Sequence, residues 1–120
     1  MPNNIIIMAF FSFLLGAKAQ NSHIKVLTPQ EFKQQITGNS LQLIDVRTAI
    51  EFKSGHIKGA KNMDFFSSSF KAQLEKLNKE KPVYVYCRSG NRSNKAAHVL
   101  AKMGFIEIFD LKGGFLNWKE

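Results

Sequence analysis

Cys87 is the only thiol in this 120-residue chain. A single cysteine forms no intramolecular disulfide, so it is apolar filler, an intermolecular partner or a reactive nucleophile. Its surroundings bear on the choice. It follows Val83-Tyr84-Val85-Tyr86, the strongest strand former in the chain, and opens the polar run Arg88-Ser89-Gly90-Asn91-Arg92. From Ser93 to Met103 the pattern predicts a helix, with Ala96, Val99, Leu100 and Met103 on its apolar side. A strand, a cysteine, a polar loop and a helix in that order place the sulfur at the carboxyl end of a strand, where sites form in open α/β sheets. The helix N-terminus brings a partial positive charge and unpaired N–H groups. Arg88 and Arg92 add two permanent cations. Each favours an anionic sulfur. Gly90 and Asn91 tolerate the positive φ that a loop needs to turn its N–H groups inward as an anion nest. Such a nest suits a thiosulfate sulfonate, a persulfide sulfur or an oxyanion. Filler in a surface turn requires none of this.

The elements that must hold the loop follow from patterning. His23 to Leu27 predicts a short edge strand. Thr28-Pro29-Gln30-Glu31 is a capping box with proline at the first helical position, opening a helix through Phe32 and Ile36 that stops at Gly38. Leu41 to Ile44 predicts a strand ending in Asp45. Thr48-Ala49-Ile50-Glu51 is a second capping box, before a short helix ended by Gly55. Gly59 to Met63 is extended. Ser67-Ser68-Ser69 offers caps for a helix carrying Phe70, Leu74 and Leu77, and Ile106 to Phe109 predicts the last strand, with a helical turn at Phe115 to Trp118. Val83 to Tyr86 is apolar on both faces, which suits a central parallel strand. Alternating strands and helices predict an α/β, doubly wound, mainly parallel sheet with helices on both faces.

Residues 1–19 differ in composition. Ile5 to Leu15 is an apolar run about half the length a membrane-spanning helix needs. It ends in Gly16-Ala17-Lys18-Ala19, a small-residue cleavage pattern that places a cut before Gln20. The expectation is a signal peptide over 1–19, a folded domain over 20–120, and a periplasmic or secreted product with no stable membrane insertion after cleavage. The segment Met1-Pro2-Asn3-Asn4 carries no Lys or Arg, so an uncleaved anchor or a buried strand is the competing reading.

The formal charge is +8, from lysines spread along the chain rather than gathered in a tail. No zinc-finger spacing or RNP-like stretch accompanies them, so no nucleic-acid partner is expected. A solvated lysine surface and a field that favours small anionic substrates both fit this charge.

Cys87-Arg88-Ser89-Gly90-Asn91-Arg92-Ser93 resembles the rhodanese active-site loop, C-R-x-G-x-R-[ST]. Asp45-Val46-Arg47, Glu51-Phe52 and Gly55-His56-Ile57-Lys58-Gly59-Ala60-Lys61-Asn62 are similar to the family's upstream signature, and Gly113-Gly114-Phe115-Leu116-Asn117-Trp118 to its C-terminal G-G-x-x-x-W. The resemblance spans roughly residues 24–118. The resemblance implies a sulfurtransferase in which Cys87 takes sulfane sulfur from thiosulfate, holds it as a persulfide and passes it to cyanide or a thiol. The N–H groups from Arg88 to Ser93 would cradle that persulfide. It implies no metal or organic cofactor. It also implies that Asp45 and Arg47 brace the site, although an ordinary ion pair fits the same two residues.

Other residues carry weaker signals. Arg88 lies nearer the loop entrance and is the better candidate for meeting an anion, while Arg92 closes the loop and has a structural role to fill as well. Ser89 offers a hydroxyl to substrate. His56 reads as structural, since transfer from a pre-formed thiolate needs no base; His23 and His98 read as filler, and Trp118 as a packing anchor. Three rivals share the fold. Arsenate reductases and phosphatases of related architecture use a seven-residue loop, and Cys87 to Arg92 counts six. A partner-binding module would leave the cysteine idle. A persulfide carrier fed by another protein uses the same cysteine chemistry.

Overall fold

The computed structural model describes residues 21–39 and 41–119; the expected signal segment over 1–19 lies outside them. Five strands form one sheet: β1 (Ile24–Leu27), β2 (Gln42–Asp45), β3 (Lys61–Asn62), β4 (Val83–Tyr86) and β5 (Ile108–Leu111). Their order is β1-β5-β4-β2-β3, and every pairing is parallel. The strand that delivers Cys87 is therefore the central one, as its two apolar faces predict.

Between the strands run α1 (Pro29–Ile36), α2 (Ala49–Lys53), α3 (Phe70–Leu74) and α4 (Asn91–Met103), with a 3-10 turn at Phe115–Asn117. Both capping boxes form as the sequence requires. Thr28 accepts from the Glu31 N–H and Glu31 returns to the Thr28 N–H; Thr48 and Glu51 repeat the exchange. The β4 side chains alternate. Val83 and Val85 join Ile44, Leu74, Ala96, Ala97, Leu100 and Ile108 beneath α3 and α4, whereas Tyr84 and Tyr86 join Phe32, Leu43, Phe109 and Leu111 beneath α1. Trp118 packs edge-on to Phe32 at 6.0 Å between ring centres, consistent with an anchor.

Several boundaries differ from the sequence expectation. α4 begins at Asn91 rather than Ser93, because Gly90 is its N-cap and the Asn94 N–H already bonds the Gly90 carbonyl. β5 runs to Leu111 rather than ending at Phe109. Asp110 is a poor strand former that pairing with β1 and β4 holds in place. α3 is only five residues long, and Ser69 makes no side-chain cap to its backbone.

Candidate active site

Cys87 leaves the end of β4 and points to the α4 side of the sheet, 1% exposed. Its Sγ accepts a hydrogen bond from the Gly90 N–H at 3.1 Å. Gly90 has φ +114°, a conformation L side chains rarely adopt, and this bends the chain around the sulfur. Among the described residues, the N–H groups of Arg88, Ser89, Asn91, Arg92 and Ser93 donate to no acceptor in the chain. Three of these belong to the first turn of α4, where no preceding helical carbonyl exists to take them. The loop thus gives the sulfur one backbone donor, the Gly90 N–H, and carries five further N–H groups that bond no acceptor among the described residues.

The loop's carbonyls are held from outside. The Phe115 N–H donates to the Cys87 carbonyl at 2.8 Å, and the Leu116 N–H to the Arg88 carbonyl at 3.0 Å. This contact depends on Gly114, at φ +64°. A Cβ there would lie 2.5 Å from the Arg88 oxygen and 2.6 Å from the Cys87 oxygen. The C-terminal glycine pair therefore allows the chain to pass directly over the loop and pin its carbonyls away from the sulfur.

The two arginines play different parts. Arg88 is exposed and, among the described residues, its guanidinium has no ion pair or hydrogen bond. Arg92 is half-buried and bound by Glu51 through Nη1–Oε1 at 2.8 Å and Nη2–Oε2 at 3.0 Å. The bond to Arg92, joined by those to Thr48, pushes the Glu51 carboxyl down to about 2; burial opposes this. The bond to Glu51 raises Arg92 in turn. Glu51 is the site residue the sequence reading missed. Its capping role was visible, but its second partner lies 41 residues away. Exposed Phe66 lies 5.7 Å from the Arg92 guanidinium, ring centre to carbon.

Ser89 and Asn91 are exposed at the loop surface, whereas Ser93 is fully buried and donates to the Gly90 carbonyl at 3.3 Å.

Asp45 and Arg47 form a buried pair, Oδ2 to Nη2 at 2.7 Å, and Asp45 also accepts the Arg47 N–H at 2.9 Å. Burial works against the Arg47 charge, yet Asp45 outweighs it and holds the guanidinium above its ordinary value. The pair does not meet the sulfur. Asp45 is the register partner of Tyr86, so its side chain shares the Tyr86 face and not the Cys87 face. Arg47 reaches the Gly55 carbonyl at 2.6 Å and stacks over Phe115, 4.5 Å from the ring centre. It braces the segment that pins the loop. Burial, then Asp45, pushes the neighbouring Tyr86 phenol well above its ordinary range, and its oxygen accepts from the Ile57 N–H at 3.0 Å. His56 stacks on Phe52 and bonds the Phe52 carbonyl, which fits a structural residue. No cluster of three or more His, Cys, Asp or Glu that could hold a metal occurs among the described residues.

Comparison with known proteins decides the family. The model of the rhodanese-like domain matches residues 28–120. The chain belongs to the rhodanese-like domain family. Within it, YqhL of Bacillus subtilis is 40% identical over 122 residues, spanning 98% of this chain and 94% of the relative. The thiosulfate sulfurtransferase GlpE of Ectopseudomonas mendocina is 34% identical over 98 residues, spanning 82% of this chain and 87% of the relative. Among solved structures, a rhodanese-like domain protein from Staphylococcus aureus superimposes with a TM-score of 0.70 at 30% identity, covering 80% of this chain and 92% of that one. The all-parallel order β1-β5-β4-β2-β3 is accordingly a rhodanese-like sheet, with Cys87 just past the carboxyl end of its central strand.

Proposed function

We propose that this rhodanese-like chain is a sulfurtransferase that moves sulfane sulfur from thiosulfate, or a similar anionic donor, to a thiol or cyanide through a persulfide on Cys87. The observation that carries the reading is the Cys87 sulfur held by the Gly90 N–H inside a loop whose remaining N–H groups have no partner among the described residues. The Cys87 thiolate attacks the outer sulfur of thiosulfate. A new S–S bond forms, the thiosulfate S–S bond breaks, and its electron pair leaves with sulfite. The negative charge now sits on the terminal persulfide sulfur, within reach of the loop donors. Cyanide or a thiolate then attacks that sulfur, departs with it, and returns the Cys87 thiolate. This is double displacement by a covalent intermediate. Arg88, exposed and without an ion pair among the described residues, draws the anionic donor in and screens the departing sulfite. Arg92, engaged by Glu51, holds the loop to α2.

The GlpE relatives, named thiosulfate sulfurtransferases, support the donor class. The six-residue loop supports sulfur over a tetrahedral oxyanion. The reading extends to location: Ile5 to Leu15 followed by Ala17-Lys18-Ala19 supports export, to the periplasm or beyond the cell. Intact-mass spectrometry after thiosulfate exposure tests the chemistry. The expected result is a gain of one sulfur atom that cyanide removes. A chain whose mass is unchanged by thiosulfate, while its thiol still alkylates, overturns the assignment of thiosulfate as donor.

A further inference from the structure

Five large apolar side chains stand exposed among the described residues, and the three most exposed belong to segments that hold the Cys87 loop. Ile50, 79% exposed, precedes Glu51, whose carboxylate grips Arg92. Phe66, 69% exposed, lies against the Arg92 guanidinium. Leu116, 59% exposed, donates its N–H to the Arg88 carbonyl. The other two, Val26 and Ile106, sit on the edge strand β1 and before the start of β5, at the far end of that strand from the loop. Apolar side chains exposed together among polar groups mark interaction sites, and aromatic residues beside arginine are the usual composition of an interface. The charge around them is one-sided. Exposed Arg88, exposed Lys53 three residues along α2 from Ile50, and exposed Lys112 two residues before Gly114 form no ion pair among the described residues. The nearby acids are engaged: Glu51 holds Arg92, and Asp64 accepts the Phe66 N–H at 2.9 Å.

We propose that this rim of Ile50, Phe66 and Leu116 is the docking surface for a protein acceptor, an acidic partner whose cysteine, set among apolar residues, takes the sulfur from Cys87. The inference rests on the persulfide reading above and names the acceptor within its thiol class. Cyanide and sulfite are small hydrated anions, to which an apolar rim offers nothing. A protein surface buries that rim and gains by it, and acidic side chains on it meet the unpaired Arg88, Lys53 and Lys112, which steers the encounter. The Cys87 sulfur is 1% exposed, so the partner's cysteine stands on a projecting segment. Its thiolate attacks the terminal persulfide sulfur. A new S–S bond forms on the partner, the bond to Cys87 breaks, and its electron pair returns to Cys87 as thiolate, with no oxidant or reductant consumed. An anionic lipid surface matches the same charge and apolarity, but it brings no thiol to the sulfur that the rim surrounds.

The test reads docking without requiring a loaded persulfide. Cys87 is the only thiol in the full chain, so its attack on an activated peptide disulfide can be followed by release of thionitrobenzoate. One synthetic peptide carries a single cysteine flanked by Glu and Leu; a control of the same length has Lys and Ser in their places. The expected wild-type rate is at least about tenfold higher with the acidic, apolar peptide. Phe66→Ser combined with Ile50→Ser removes most of that preference. Ile50→Ser alone, at a side chain outside the contacts of the loop, reduces it and serves as the second variant. Methyl methanethiosulfonate, small and uncharged, reads the sulfur itself and should react with all three proteins within about twofold. Equal rates with the two peptides, or a preference that survives in both variants, overturns the proposal. So does wild-type binding to phosphatidylglycerol vesicles that the double variant loses while no peptide preference exists, which assigns the face to a membrane. A peptide preference in a chain that takes no sulfur from thiosulfate leaves the docking surface intact and overturns the donor assignment instead.

Discussion

Arg92 and Glu51 face each other as fork to fork, with two N–H···O contacts of 2.8 and 3.0 Å, and the same Glu51 carboxylate caps α2 through Thr48. One side chain thus ties the start of α2 to the start of α4. Glu51→Gln keeps a capping amide but removes the charge. We expect it to destabilise the fold by about 1 kcal/mol at neutral pH, since the pair is charge-assisted and only partly exposed, and to lower sulfur transfer by loosening the loop. The pH dependence has a fixed sign. The carboxyl is depressed to about 2 in the fold, from an ordinary 4.5, so the pair's contribution is full above 4.5 and is lost as pH falls toward 2. Urea unfolding should separate the two proteins at pH 7 and bring them together near pH 2. A constant difference across that range would mean that the ion pair is not its source.

Cys87→Ser is expected to abolish transfer while leaving the fold nearly as stable. The serine oxygen can still accept the Gly90 N–H that now meets Sγ, and the volume lost is small. A hydroxyl supplies no anion to attack sulfur. Any measurable thiosulfate:cyanide turnover by the purified variant would end the persulfide mechanism.

Gly114→Ala separates the loop's clamp from its chemistry, since it leaves every loop residue in place. The new Cβ would meet the Arg88 and Cys87 carbonyl oxygens at 2.5 and 2.6 Å, both backbone atoms with little room to move. The left-handed backbone adds strain of its own, of order 1–3 kcal/mol. We expect a destabilisation of at least about 2 kcal/mol by urea unfolding, and turnover reduced even at temperatures where the variant is folded. Wild-type turnover in this variant would show that the loop carbonyls need no pinning.

Protein recovered from its native host should begin at Gln20 and lie outside the cytoplasm. The expectation rests on the short apolar run and the Ala17-Lys18-Ala19 pattern. N-terminal sequencing after cell fractionation checks it; an intact Met1 on a membrane-bound form would make the segment an anchor.

The candidate site around Cys87 was legible because it is local. A strand former, a cysteine, glycine at the turn and a helix start occupy one stretch from Val83 to Met103, and short-range rules read such stretches well. Even there Asn91 and Arg92 read as loop, since their chemical types suggested a polar connection, whereas Gly90 caps the helix and places both in its first turn. What stayed hidden is long-range. Glu51 signalled a cap and gave no hint of Arg92. Gly113-Gly114 stood out only through resemblance, because the need for no side chain at Gly114 arises from carbonyls more than 20 residues upstream. Asp110 ended the expected strand early: an aspartate in a buried β5 contradicts strand propensity, and local preference lost to pairing on both sides.

The first and last strands of this sheet are hydrogen-bonded neighbours, Ile24 opposite Ile108 through Leu27 opposite Leu111. Nearly the whole domain must therefore leave the ribosome before its first strand finds a partner, and such end-to-end pairing is slow to nucleate. The residues that come immediately afterwards, Gly114 to Leu116, then close on the Cys87 loop. During synthesis the thiol is consequently made well before its cradle is complete, since the backbone N–H groups of Phe115 and Leu116, more than 20 residues downstream, must arrive to clamp the carbonyls around it.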